Sequence, residues 1–434
     1  MRQLIHRYKN SEIARRLVSG FGANLLGKVF VALFQLLSVP ILSAAWGLDG
    51  LGVWLMISAI PSYLYLSDFG LATTAAVDMT KSVAVKNHTD ALRIYQTSWV
   101  FVTAISATAA ACVAIGLVIW VSTAHDGLHG GFTLQQVAGA IALQTLGAML
   151  GIQTNFTMSL YQATNKYALG QLFGAFSYAF QGIAVIIIAM LGGKIAAAAA
   201  ASCAASFAVV AVEIGLIRRL EPWVRIGTQF SDRATLRGLL HPSAAAFALT
   251  AANSFGLHSV VLAIGFTMGP TAAAVFATVR MMTRTPLQFA GLLTRASLPE
   301  LTRSLNAKNH TLTHRLMQAN IVTSMIVMVP SLGVLVIWGP ALLSLLSHGG
   351  MKATQTMFAL LGIAALLNVM WTTLGTRLMA MNRQAEYAWI VLAVYGAVAA
   401  APFFARGSLL EIGLAMVIAD GLVTGWIATR KDLN

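Results

Sequence analysis

Twelve runs of mostly apolar residues divide this chain, at roughly 17–45, 51–78, 95–122, 134–160, 169–192, 195–216, 241–266, 271–298, 316–338, 354–381, 387–405 and 409–429. Each is about as long as the 20 apolar residues that a helix needs to cross a bilayer. Only 10% of the residues are charged, against 58% hydrophobic, and the mean hydropathy is +0.76. A soluble chain needs about 25% charged residues to cover its surface, so lipid is the solvent this surface fits. No polar stretch between the runs is long enough for a separate soluble domain.

The basic residues fix an orientation. If the segment before the first run faces the cytoplasm, 20 Lys and Arg fall in segments on that side and only Lys194, Lys352 and Arg406 on the other. A wrong count of crossings would scramble this alternation, so the positive-inside rule supports twelve spans with both termini cytoplasmic. The formal charge of +14 is thereby a topological signal and does not imply nucleic acid. The basic start leads into a run too long for a signal-peptide core, so no cleavable signal is expected. Cys112 and Cys203 each sit in an apolar run and read as small packing residues.

The halves are related. Lys81–Gln96 and Arg303–Gln318 share 7 of 16 residues at an offset of 222, including Lys-Asn-His-Thr at 86–89 and 308–311. Gly47 matches Gly269 at the same offset, and Ala163-Thr-Asn-Lys166 resembles Ala380-Met-Asn-Arg383. Both copies of the longer match follow an even number of spans, so the repeat is parallel. The expected fold is an all-α integral membrane protein, with two six-helix lobes around a central cavity. The lobes cover 1–216 and 241–434, joined by a basic linker at 217–240.

Ionisable residues inside the spans are costly and therefore informative. In the eighth run Arg280, Arg284 and Arg295 fall on one helical stripe, with Pro286 expected to bend the helix. That stripe suits a cationic wall of the cavity; internal pairing with Asp68 or Asp420 is the alternative, and Arg295 is near enough to the span's end to snorkel. In the first run Asn24, Lys28 and Gln35 form a similar stripe, facing either a cavity or an acid. Gln144, Asn155 and neighbouring small residues share a face of the fourth run and suit either helix packing or substrate contact. Asp68 fits an ion pair or a coupling cation. His258 and Asp420 could each carry a proton, or serve only in packing. Glu213 and Arg377 lie near span ends, where a structural role suffices. The repeated Lys-Asn-His-Thr reads as a cap for the next helix. No phosphate-binding glycine loop, catalytic triad or metal cluster is present in the sequence, so neither an enzyme nor an ATP-driven pump is expected.

Asn24, Pro40, Gly47 through Gly52-Val-Trp54 and Ser67-Asp-Phe-Gly-Leu71 resemble the start of Wzx-type polysaccharide flippases, of the multidrug/oligosaccharidyl-lipid/polysaccharide (MOP) exporter superfamily. Ala277-Thr-Val-Arg280 and Leu298-Pro-Glu-Leu301 resemble that family's eighth helix and its exit. The resemblance implies a flippase of the bacterial inner membrane that moves an undecaprenyl-pyrophosphate-linked oligosaccharide between leaflets by alternating access. Other polysaccharide-assembly membrane proteins would be partners. No cofactor is implied beyond a coupling ion, proton or sodium. Lys28, Arg280, Arg284, Asn24, Arg295 and Asn155 are the candidate substrate contacts, and Asp68, His258 and Asp420 the candidate coupling sites. A drug or metabolite exporter of the same superfamily is the alternative; an exporter of organic cations should have an acidic cavity. A non-transporting scaffold for glycan synthesis is the third possibility.

Overall fold

A computed structural model describes residues 2–123, 131–381, 383–405 and 407–430. Some helical side chains, those of Asn24 and Arg295 among them, also lie outside the described residues. The elements are α1 (Arg2–Ser62), a 3-10 turn (Tyr63–Asp68), α2 (Leu71–Ala84), α3 (His88–Thr123), α4 (Leu134–Ala163), α5 (Tyr167–Met190) and α6 (Ile195–Leu220). Then follow α7 (Arg233–Ser254), a π-helical segment (Phe255–Ser259), α8 (Val260–Met268), α9 (Pro270–Asn306), α10 (His310–Leu346), α11 (Gln355–Ala380), α12 (Ala385–Phe404) and α13 (Leu409–Ala428). No strand occurs among the described residues.

These helices make twelve crossings. Gly47 (φ 71°, ψ 177°) splits α1 into the first crossing and the start of the second. The second continues through the 3-10 turn into α2, and the seventh comprises α7, the π segment and α8. Ten segments are long and apolar enough to span a membrane by themselves. One of these, Gly27–Ala84, holds two crossings, and α9, which carries Arg280 and Arg284, is the crossing that does not qualify. Pro286 does not interrupt α9, which is helical throughout.

The repeat survives as geometry. Gly47 and Gly269 both take positive φ, as do Lys86 (59°) and Lys308 (53°). Asn87 accepts the Asp90 amide at 3.1 Å, and Asn309 the Leu312 amide at 3.0 Å. The repeated Lys-Asn pair is thus a left-handed turn followed by a helix cap. Each lobe has its own core: Met79, Tyr95, Phe156 and Tyr161 in the first, Trp371, Tyr387, Tyr395 and Val423 in the second.

The connection between lobes is shorter than 217–240. α6 runs on to Leu220 and α7 begins at Arg233, leaving 221–232. Asp232 caps α7 by accepting the Thr235 amide at 2.9 Å and its hydroxyl at 2.8 Å, and these bonds hold its carboxyl below the usual range. The linker is tied to the first lobe. Gln96 donates to the Arg225 carbonyl and accepts the Phe230 amide, both at 2.9 Å, and Thr97 accepts the Asp232 amide at 3.0 Å. Glu221 pairs with Lys166 and accepts Trp223 Nε1–H at 2.8 Å.

The lobes meet at two levels. Toward the Gly47/Gly269 end, Val39, Leu42 and Leu51 join Val261, Ile264 and Phe276 in one buried cluster. There a Cβ on Gly52 would stand 2.0 Å from the Pro270 carbonyl oxygen, and Thr271 donates to Asp49, its counterpart at the 222 offset. Toward the end bearing the basic loops, the 3-10 break faces the π segment. Tyr63 and Ser259 share a hydrogen bond, Phe69 stacks on Phe247 with centroids 4.9 Å apart, and Thr74 and Ser243 share a 2.8 Å bond.

Candidate functional site: a cavity between the lobes

A cavity of about 700 Å³ lies between the two lobes. α1, α4, α5 and α6 line it from one side; the π segment, α8 and α9 line it from the other. Arg280, Arg284 and His258 contribute its ionisable groups other than tyrosines and the Cys203 thiol, and no Asp or Glu lines it among the described residues. Side-chain amides from both lobes, Gln35, Gln144, Gln181 and Gln288, add to its polarity, with hydroxyls such as Ser38, Ser58, Ser202 and Thr278.

The two arginines differ in kind. Arg280 is 5% exposed, and its guanidinium donates to the carbonyls of Gly256 at 2.8 Å and Leu257 at 2.5 Å. A π turn shifts the backbone hydrogen-bond register. Its carbonyls must find donors inside a membrane, and Arg280 supplies them. The ring of Phe276 lies 5.5 Å from its Cζ. Neither Asp68 nor Asp420 pairs with it. Arg284, one turn on, is half-buried and makes no hydrogen bond among the described residues. Its charge reaches Asp420 and Tyr395 only through space. Arg284 is therefore the cavity's available guanidinium.

The amides form a second feature. Gln288 donates to Gln35 across the lobe interface, and Gln35 donates to the Tyr178 hydroxyl, both at 3.4 Å. Gln144 lines the cavity, but its Nε2 is itself buried and has no hydrogen-bond partner among the described residues. Of these groups the sequence reading picked out Gln35 and Gln144. Gln181 and Gln288, together with Tyr65 and Tyr178, were legible only as uncharged polar residues interrupting apolar runs.

Other sequence candidates lie elsewhere. Lys28 is half-buried on α1 and does not line the cavity. Asn24 and Arg295 are outside the described side chains. Asn155 is exposed and beyond the lining. It shares the Gln144–Ala148 stripe, but a Cβ added at the intervening Gly151 would come 2.3 Å from the Tyr65 hydroxyl, so Tyr65 closes the stripe off before Asn155 is reached. Asp68 caps α2 by accepting the Ala72 amide at 2.9 Å. Asp420 is buried within the second lobe. One of its oxygens accepts from Tyr395 at 2.6 Å, Trp371 at 2.9 Å and Asn368 at 3.1 Å. His258 lies in the π segment, on the cavity wall, with its ring 6.4 Å from that of Tyr63.

No family model matches the chain, and no curated protein matches it by sequence. Solved structures do match it in three dimensions. An inward-facing multidrug resistance MATE family transporter of the MOP superfamily superposes with a TM-score of 0.72 at 12% identity, over 95% of this chain and 98% of that one. The fold is that of the MOP transporters. A MOP superfamily transporter from Pyrococcus furiosus, described as having a binding pocket of reversed polarity that suggests a different function, gives 0.68 at 13% identity over 96% and 95%. An outward-facing MATE family transporter gives 0.64 at 14% over 96% of each chain. The chain is thus a multi-pass membrane protein whose twelve crossings follow the two-lobe fold of these transporters.

Proposed function

We propose that this chain is a membrane transporter that exports a small anionic or hydroxyl-rich amphiphile through the cavity between its lobes. The observation that carries this reading is the lining. It has a guanidinium at Arg284, side-chain amides and hydroxyls from both lobes, and no acidic residue among the described ones. Charge-assisted bonds from a guanidinium favour carboxylate, phosphate or sulfate groups. An organic cation would meet Arg284 with no counter-charge in the wall. The volume of about 700 Å³ falls in the usual range for drug-sized ligands. The likeness to MATE transporters supports an exporter before a flippase.

Alternating access is the mechanism of this reading. The apolar seal around Leu51 and Ile264 closes the cavity toward the Gly47/Gly269 end. The higher TM-score against an inward-facing relative than against an outward-facing one accords with that seal. Rocking of the lobes would break it and expose Arg284 to the opposite side, with a proton or sodium gradient as the driving force. A lipid-linked oligosaccharide is the second reading. It is favoured by the same acid-free lining, which suits a pyrophosphate and sugar hydroxyls.

The test is transport in proteoliposomes with three probes: an anionic amphiphilic dye, a matched cationic dye and a fluorescent polyprenyl-pyrophosphate oligosaccharide. Gradient-dependent movement of the anionic dye alone supports the exporter. Movement of the oligosaccharide between leaflets selects the flippase. Movement of the cationic dye alone overturns both.

A further inference from the structure

Glu213, on α6, plays no part in the cavity. Its side chain is fully buried, and neither carboxyl oxygen has a hydrogen-bond partner among the described residues. It sits seven residues before the end of α6 at Leu220, about 10 Å inside that end at 1.5 Å per residue. The groups around it come from three helices. From α4 the Thr154 hydroxyl faces the carboxyl without good hydrogen-bond geometry and is itself unpartnered. Tyr161, also on α4, donates its hydroxyl to the Glu213 carbonyl at 3.0 Å. From α3, Tyr95 packs in one buried cluster with Tyr161 and with Ile217, one turn after Glu213. Arg218 is exposed in the last turn of α6, and Lys166, just ahead of α5, is taken by Glu221.

No cation therefore balances this carboxyl group among the described residues. An isolated buried carboxylate costs several kcal/mol or more, and such groups persist in folded proteins when something neutralises them. The Thr154 hydroxyl that faces it can accept a hydrogen bond from a protonated carboxyl.

We propose that Glu213 is a proton-binding site of the first lobe, separate from the central cavity and filled from the end bearing the basic loops. The bound proton makes the carboxyl a donor to Thr154. The site adjoins the anchor of the interlobe linker. Tyr95, Gln96, Thr97 and Ser98 form one buried turn of α3: Tyr95 shares a buried cluster with Tyr161, which binds the Glu213 carbonyl, while Gln96 and Thr97 hold the linker backbone. Occupancy of Glu213 thus acts on the turn that fixes how the lobes are connected.

Infrared spectroscopy of the full-length protein in lipid, at neutral pH, tests this directly. The expected result is a carboxylic-acid C=O band in the wild type that disappears in Glu213→Gln and is unchanged by sodium. Two results overturn the proposal: loss of a carboxylate band instead, which means Glu213 is charged, or conversion of the acid band to carboxylate on adding sodium, which makes the site a sodium site. Should Glu213→Gln fail to fold, glutamate-specific ¹³C labelling of the wild type shows whether the acid band belongs to a glutamate, and Glu213 is the buried one of the described glutamates. A shift of the acid band supports the proposal, and an unshifted band overturns it.

Discussion

Arg280 and Arg284 share a helix stripe and residue type, yet the fold gives them different work. Arg280 completes the backbone of the π segment, so Arg280→Ala leaves two buried carbonyls without donors. Hydrogen bonds to a charged group contribute about 1.5–3 kcal/mol each. The expected loss of unfolding stability is about 3 kcal/mol or more, read as a lowered Tm in detergent. Arg284→Ala removes no bond among the described residues and should leave Tm nearly unchanged while weakening anion binding about tenfold or more. Asp420 gives a similar contrast. Asp420→Asn retains an acceptor oxygen for Tyr395, Trp371 and Asn368, whereas Asp420→Leu strands all three donors and should cost several kcal/mol in the same melt. The sequence placed ionisable groups in the right spans. It could not tell a backbone ligand from a cavity ligand, because that depends on which carbonyls a local irregularity releases. Asp68 shows the same limit: its role as a cap follows from the helix break beside it, where Phe69 and Gly70 both take positive φ.

At the scale of elements, the helices are regular where periodicity and length say so and irregular where the lobes meet. The 3-10 break in the second crossing faces the π segment of the seventh. Gly70 is fixed there twice over, by φ of 73° and by the Ser243 carbonyl 2.8 Å from where a Cβ would be. Gly70→Ala should destabilise by more than about 1 kcal/mol and loosen the contact between α2 and α7, seen as faster amide exchange in both. Gly52 is the counterpart at the far end, against the Pro270 carbonyl. Gly52→Ala should push the lobes apart there, lengthening a spin-label distance measured between the two Gly47/Gly269 corners; an unchanged distance would mean that this contact does not set the closed state. The crossings themselves were legible because hydrophobic length is a strong signal in lipid. Arg218, Arg219 and the Asp232 cap belong to α6 and α7 despite their polarity, so polarity alone does not mark where these helices end.

Over the whole molecule, the two-lobe plan was readable from the 222-residue offset, because the repeated positions are ones where backbone conformation demands particular residues: glycine at Gly47 and Gly269, Lys-Asn at the capped turns. The cavity was only partly readable. Its floor of glutamines and tyrosines depends on how helices from different lobes are rotated against one another, and no pattern within a single run records that. The cavity's charge, set by Arg284 and by the absence of acids among the described lining residues, is the central claim. Its most direct test is equilibrium binding in nanodiscs of a matched pair of amphiphiles, one anionic and one cationic, to wild type and to Arg284→Glu. The account predicts that wild type binds the anion and that the charge reversal moves the preference to the cation. Preferential binding of the cation by wild type, unaffected by the reversal, would contradict it.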